Sequence, residues 1–136
     1  MRRFTSILTV LIGIFPLTFG VRFLLDGDGA ATGYGVTAAA GAYFAIKGIR
    51  DIALGLNVLT LFALGHRRAT GIVLAVTSIV PFVDAAIVLT HGGSLLTALF
   101  VHVLTALVLV FDAVLLLRER RATAEIPTAQ PATASH

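Results

Sequence analysis

The chain has 136 residues, of which 57% are hydrophobic and 12% charged, with a mean hydropathy of +0.97 and a formal charge of +3. Soluble domains carry about 25% charged residues, so this composition excludes an ordinary water-soluble globule and points to a single membrane domain. Cysteine is absent, which removes disulfides, thiolate catalysis and sulfur-ligated metals together.

Four apolar runs follow one another along the chain, each close to the ~20 residues that span hydrocarbon as helix. The first is Phe4 to Leu25. Arg2 and Arg3 before it imitate a signal peptide, but the run continues through Val21 to Leu25 without an Ala-x-Ala site, so the helix is expected to be retained. Asp26 to about Thr37, with Gly27, Gly29, Gly33 and Gly35, reads as an exposed, irregular connector. The second helix is predicted at about 42–65, where Gly65 ahead of His66, Arg67 and Arg68 supplies a stop. The third is predicted at 70–91, with Pro81 deleting one backbone hydrogen bond and freeing the Thr77 carbonyl. The fourth is predicted at 94–117. Residues 118–136 turn to charge and then to Ala, Thr, Pro and Ser, a composition that cannot bury a core and is read as a disordered tail. A β-barrel is excluded, because its strands would be ~9–11 residues long with alternating polarity.

The pI of 10.2 does not indicate nucleic acid. Seven of the ten Lys and Arg residues lie at three sites, namely Arg2 and Arg3, Arg67 and Arg68, and Arg118, Arg120 and Arg121. Those sites fall on one side of an up-down layout, so the positive-inside rule predicts both termini in the cytoplasm. The expected architecture is therefore an all-α integral membrane four-helix up-down bundle, N-in/C-in, in the plasma membrane.

The polar residues inside these runs are the candidate site, because a charge at the centre of a membrane helix costs roughly 2.5–3.5 kcal/mol on insertion scales. Lys47, Arg50, Asp51 and Asn57 fall within an arc of about 120° on the second helix. Lys47 and Asp51 are spaced to pair within the helix, whereas Arg50 and Asp51 are adjacent and expected to point apart, which leaves Arg50 seeking a partner elsewhere. Asp84 is the only carboxylate of the third helix, and His102 shares a face of the fourth with Ser94, Thr105 and Asp112. At about 1.5 Å per residue, Arg22, Lys47, Arg50, Asp51, Asp84, His91 and His102 lie in the bilayer half away from the cytoplasm. Asp112 lies nearer the cytoplasmic arginines and is expected to pair with Arg67 or Arg68. Gly41, Gly48 and Gly55 recur every seven residues, a small-residue face that suits packing and also a homodimer contact.

The run Lys47-Gly48-Ile49-Arg50-Asp51-Ile52-Ala53-Leu54-Gly55, with Pro81 and Asp84 in the next helix and Pro16 to Gly20 in the first, resembles the small four-helix membrane proteins grouped as domain of unknown function 4267. The likeness covers about residues 4 to 117, and its most specific part is the Gly-x-Arg-Asp stretch followed by Leu and Gly. It implies a four-helix bundle and marks Arg50, Asp51 and Asp84, but implies no established activity. A looser likeness to DoxX-type four-helix membrane proteins rests on architecture alone.

Three classes of function are weighed. The first is a structural or interaction role, with Arg50 and Asp84 joining Lys47 and Asp51 in a buried clasp. The second is binding of a small amphipathic or lipid-like ligand, anchored by Arg50 and His102 among Phe44, Ile87 and Leu99. The third is a membrane-embedded enzyme with His102 as base and Asp84 as its orienter, or a proton-coupled transporter subunit. No nucleophile is specified for the enzyme. His91, His102 and Asp84 have no diagnostic metal spacing, so neither a metal nor a cofactor is implied. The expected surroundings are the lipid bilayer, with no nucleic acid.

Overall fold

The computed structural model describes residues 2–34 and 41–124, with side chains described over 2–34 and 43–119. Among the described residues every regular element is helical. Helix α1 is Arg2–Leu25, α2 is Gly27–Tyr34, α3 is Gly41–Ala63, α4 is Arg67–Thr77 and α5 is Ile79–Thr90. A short α6, Leu95–Thr97, passes through a π-helical segment, Ala98–Val103, into α7, Leu104–Ala124.

Both tight turns end in a Schellman arrangement. His66 N–H donates to the Leu61 carbonyl at 2.9 Å and Gly65 N–H to that of Phe62 at 3.0 Å. Gly93 and Gly92 repeat the pattern onto Val88 and Leu89 at 2.7 and 3.3 Å. Gly65 and Gly92 both take φ +76°, a region that side chains resist and glycine enters freely. The predicted stop at Gly65 is thus realised in detail.

Helix α1 lies along α3, and α4 lies along α7, with α1 also touching α7. The α1–α3 crossing is built from glycine on both sides. A Cβ at Gly20 would lie 2.6 Å from the Gly48 carbonyl oxygen, and one at Gly55 would lie 2.5 Å from that of Gly13. Backbones this close need residues without side chains. The glycine face of α3 is therefore covered within the chain, at Gly48 and Gly55, by α1; the side-chain surroundings of Gly41 lie outside the described residues. The core below this crossing gathers Ile12, Val58, Leu74, Leu109, Ala113 and Leu116 from four helices.

Three helical stretches are long and apolar enough to cross a membrane: Arg2–Leu25, Arg67–Thr90 and Leu95–Glu119. Large apolar side chains such as Phe4, Ile7, Leu11, Ile72, Val76, Phe100 and Phe111 stand exposed on them, as expected of surfaces solvated by lipid rather than water. Helix α3, with 23 residues, is long enough as well, but Lys47, Arg50 and Asp51 lower its apolar character. Ser78 interrupts the Arg67–Thr90 stretch between α4 and α5, three residues before buried Pro81, whereas α1 runs unbroken through Pro16.

Two expectations are corrected here. The glycine-rich segment after α1 is helical from Gly27 to Tyr34, because Asp26 caps it, its Oδ1 accepting from Gly29 N–H at 3.1 Å. Ala30 and Ala31 are then buried against Phe23 and Phe44, so capping and burial outweigh the glycine content. Residues 35–37 of that expected connector lie outside the described residues. The expected tail also begins later than Leu117, since α7 continues to Ala124. Its remainder, 125–136, lies outside the described residues.

Candidate functional site

The two polar centres lie toward opposite ends of the long helices. The first is organised around Tyr34, the last residue of α2. Its hydroxyl donates to Asp84 Oδ2 on α5. Its backbone carbonyl accepts from His102 Nε2 at 3.0 Å, which fixes that nitrogen as the proton-bearing one. The Tyr34 and His102 rings meet edge to face with centroids 4.4 Å apart. Lys47 Nζ sits 4.0 Å from the Tyr34 ring centroid and 5.1 Å from that of Phe23, a cation–π cradle for a desolvated ammonium. The same ammonium donates to Asp51 Oδ2 at 3.2 Å. Burial, followed by the Asp84 carboxylate beside it, raises the Tyr34 phenol above its ordinary range and keeps it a neutral donor.

Of the sequence-predicted residues, Lys47, Asp51, Asp84 and His102 are thus brought together, although Tyr34 is what joins them. Lys47, Asp51 and His102 are buried and Asp84 is half-buried. The π-helical segment carries His102 inward at 2% exposure, consistent with the recurrence of such segments at polar sites.

The remaining candidates sit elsewhere. Arg50 pairs with neither Asp84 nor His102; its side chain is 53% exposed and its Nε lies 3.9 Å from Asp51 Oδ1. The expected Arg50–Asp84 clasp is therefore replaced by Tyr34–Asp84, and the adjacent Arg50 and Asp51 do approach each other at the limit of an ion pair. Asn57 is exposed. Arg22 is exposed and reaches the Gly29 carbonyl at 3.5 Å. His91 caps its own helix, its Nδ1 2.9 Å from the Ile87 carbonyl. Ile87 and Leu99, expected to line a ligand pocket, are 43% and 44% exposed. His102 is oriented by a backbone carbonyl, so the expected Asp84–His102 acid–base pair is not formed. Among the described residues no three His, Asp or Glu side chains converge as metal ligands.

The second centre was only partly foreseen. Asp112 on α7 is fully buried, and its Oδ2 accepts from the Thr9 hydroxyl of α1 at 2.7 Å. That hydroxyl also lies 2.9 Å from the Thr5 carbonyl. Arg67 pairs with Glu119 at 2.8 Å, donates to Ser6 Oγ at 3.3 Å and places its guanidinium carbon 5.1 Å from the Phe62 ring centroid. Glu119 takes the arginine that Asp112 is expected to bind, because α7 continues about two turns past its apolar run, to Ala124. Tyr34, Thr9 and Glu119 had no motif to mark them, although Tyr34 is one of two tyrosines in the chain.

The arrangement is that of an all-α protein whose long helices are suited to a membrane, with polar side chains gathered between them. The model of one family, Domain of unknown function (DUF4267), matches residues 13–116, and the chain belongs to that family. The match takes in Tyr34, Lys47, Asp51, Asp84, His102 and Asp112 but not Thr9 or Glu119. No curated protein and no solved structure matches the chain.

Proposed function

We propose that this protein is a small multi-pass membrane protein of the plasma membrane with a structural or interaction role. In this reading α1, α3, α4 with α5, and α6 with α7 form four up-down spans with both ends cytoplasmic. Basic residues at Arg2, Arg3, Arg67, Arg68 and Arg118 favour that orientation. The Tyr34 cluster would then lie in the extracytoplasmic half and act as a clasp that fixes how α2, α3, α5 and the π-helical segment meet.

One observation carries the clasp: Lys47, Asp51, Asp84 and His102, the ionisable groups of the cluster, each find a partner inside the chain. Polar groups that satisfy one another inside a fold fix how its elements pack. A double-mutant cycle of Tyr34→Phe and Asp84→Asn in detergent tests it, with an expected coupling of about 0.5–3 kcal/mol. Additive losses would remove the clasp. The single substitutions Asp28→Cys and His91→Cys should label from one side of sealed vesicles and His66→Cys from the other, in a chain with no cysteine of its own. Labelling from one side would remove the topology.

The half-buried state of Tyr34 and Asp84 favours one alternative, an amphipathic molecule whose hydroxyl takes the place of the tyrosine's. Native mass spectrometry of the wild type would then find a specific adduct that Asp84→Asn loses.

A further inference from the structure

Helix α3 carries Lys47, Arg50 and Asp51 well inside its length, yet it is not wrapped by the others. It packs along α1 and otherwise touches α4 and α2. Its inward face carries Phe44, Lys47, Gly48, Asp51, Gly55 and Val58, all buried. The opposite face carries Tyr43, Ile46, Arg50, Ala53, Asn57 and Thr60, all exposed. These follow one another at alternating spacings of three and four residues and so form one continuous stripe along the helix.

Three of those outward residues are polar. Arg50 lies two residues from the midpoint of Gly41–Ala63, so in a spanning α3 it stands about 3 Å from the bilayer centre. That is too deep for its side chain to reach the interface by snorkelling. Its guanidinium has five donors and forms no hydrogen bond among the described residues; its ion pair is a long one, Nε to Asp51 Oδ1 at 3.9 Å, while Lys47 holds Oδ2 of the same carboxylate at 3.2 Å. The Asn57 amide, two turns further on, has no hydrogen bond among the described residues either. Hydrocarbon cannot satisfy either group.

We propose that this face of α3 docks a transmembrane helix of another protein that carries a carboxylate near the bilayer midplane, paired with Arg50. Ala53 lets the two backbones approach, and Asn57 and Thr60 offer hydrogen bonds one and two turns below. Charge decides the kind of partner. A second copy meeting α3 through the same face would set Arg50 against Arg50. Nor does a copy offer a carboxylate at that depth, since Asp51 is buried on Lys47, Asp84 holds the Tyr34 hydroxyl, and exposed Asp26 and Asp28 lie outside the spans.

The inference rests on α3 spanning the membrane, which the labelling of Asp28→Cys against His66→Cys tests separately. The partner test uses full-length protein in phosphatidylcholine vesicles with a donor dye on His66→Cys. The acceptor is a synthetic leucine–alanine transmembrane peptide bearing one central Glu, with Gln and Lys versions as controls. Saturable energy transfer to the Glu peptide is expected, weaker by about tenfold or more for the control peptides and for Arg50→Leu, and retained in part by Arg50→Lys. Because Arg50 is exposed, its variants should keep the wild-type melting temperature, which is measured alongside. Equal transfer to all three peptides, or to Arg50→Leu, overturns the proposal. So does energy transfer between donor- and acceptor-labelled copies of the protein that Asn57→Leu abolishes, since a second copy would then cover the face. With two-sided labelling intact, any of these results fails the partner and spares the topology.

Discussion

The two polar centres use similar parts and balance them differently. At the α2 end, a tyrosine joins a carboxylate and a histidine while aromatic rings shield a lysine. At the other end, a threonine serves a carboxylate and an arginine is held by Glu119 over a phenylalanine. What is left over differs in place. The first centre leaves the Arg50 guanidinium exposed, and the second leaves Asp112 Oδ1, and Arg67 Nη2 beyond its ion pair with Glu119, buried without a hydrogen bond among the described residues. A surplus donor at the surface can be satisfied from outside, whereas a surplus acceptor in the core cannot, so the first end is suited to interaction and the second to holding the fold.

The largest effect should come from Lys47→Met, which leaves buried Asp51 with only the exposed Arg50, 3.9 Å away, to balance its charge. Breaking one partner of a buried pair costs about 3–5 kcal/mol, readable as a fall in unfolding free energy in detergent. Adding Asp51→Leu should restore most of it, and no restoration would mean that the aromatic cradle, not the ion pair, holds Lys47.

Thr9→Val is expected to cost about 1–3 kcal/mol, because it removes the donor to a fully buried carboxylate that already has one idle oxygen. The same measurement on Thr9→Ser should stay near wild type. If Thr9→Val is neutral, the second centre is not the structural one and the contrast between the ends fails.

Arg50→Leu should change the stability of the isolated protein by no more than about 0.5 kcal/mol, as for other exposed positions. A loss as large as that of Lys47→Met would place Arg50 in the fold rather than on a docking face. These two basic residues are three positions apart on one helix, which makes the pair a direct gauge of inward against outward polarity.

Much of the site was legible and its wiring was not. Asp51 with Lys47 followed from helix spacing, and the inward placement of Asp84 and His102 followed from the expense of leaving them in lipid. The arc holding Lys47, Arg50, Asp51 and Asn57 was also correct as geometry, but α1 covers only half of it. Which half is decided by where Gly13 and Gly20 meet Gly55 and Gly48, a contact between segments remote in sequence. Tyr34 escaped notice because its segment reads as loop by glycine content, and the capping by Asp26 and the burial of Ala30 and Ala31 outweigh that content only in the folded chain.

Hydropathy and length alone therefore determined that the chain is helical and suited to a membrane, since apolar runs of bilayer length leave the backbone no other way to satisfy its hydrogen bonds. Which side chain each buried charge would meet was decided only by tertiary structure. Hydrogen bonds and ion pairs act over a few ångströms, and distances on that scale between α2, α3, α5 and the π-helical segment exist only after the helices have packed.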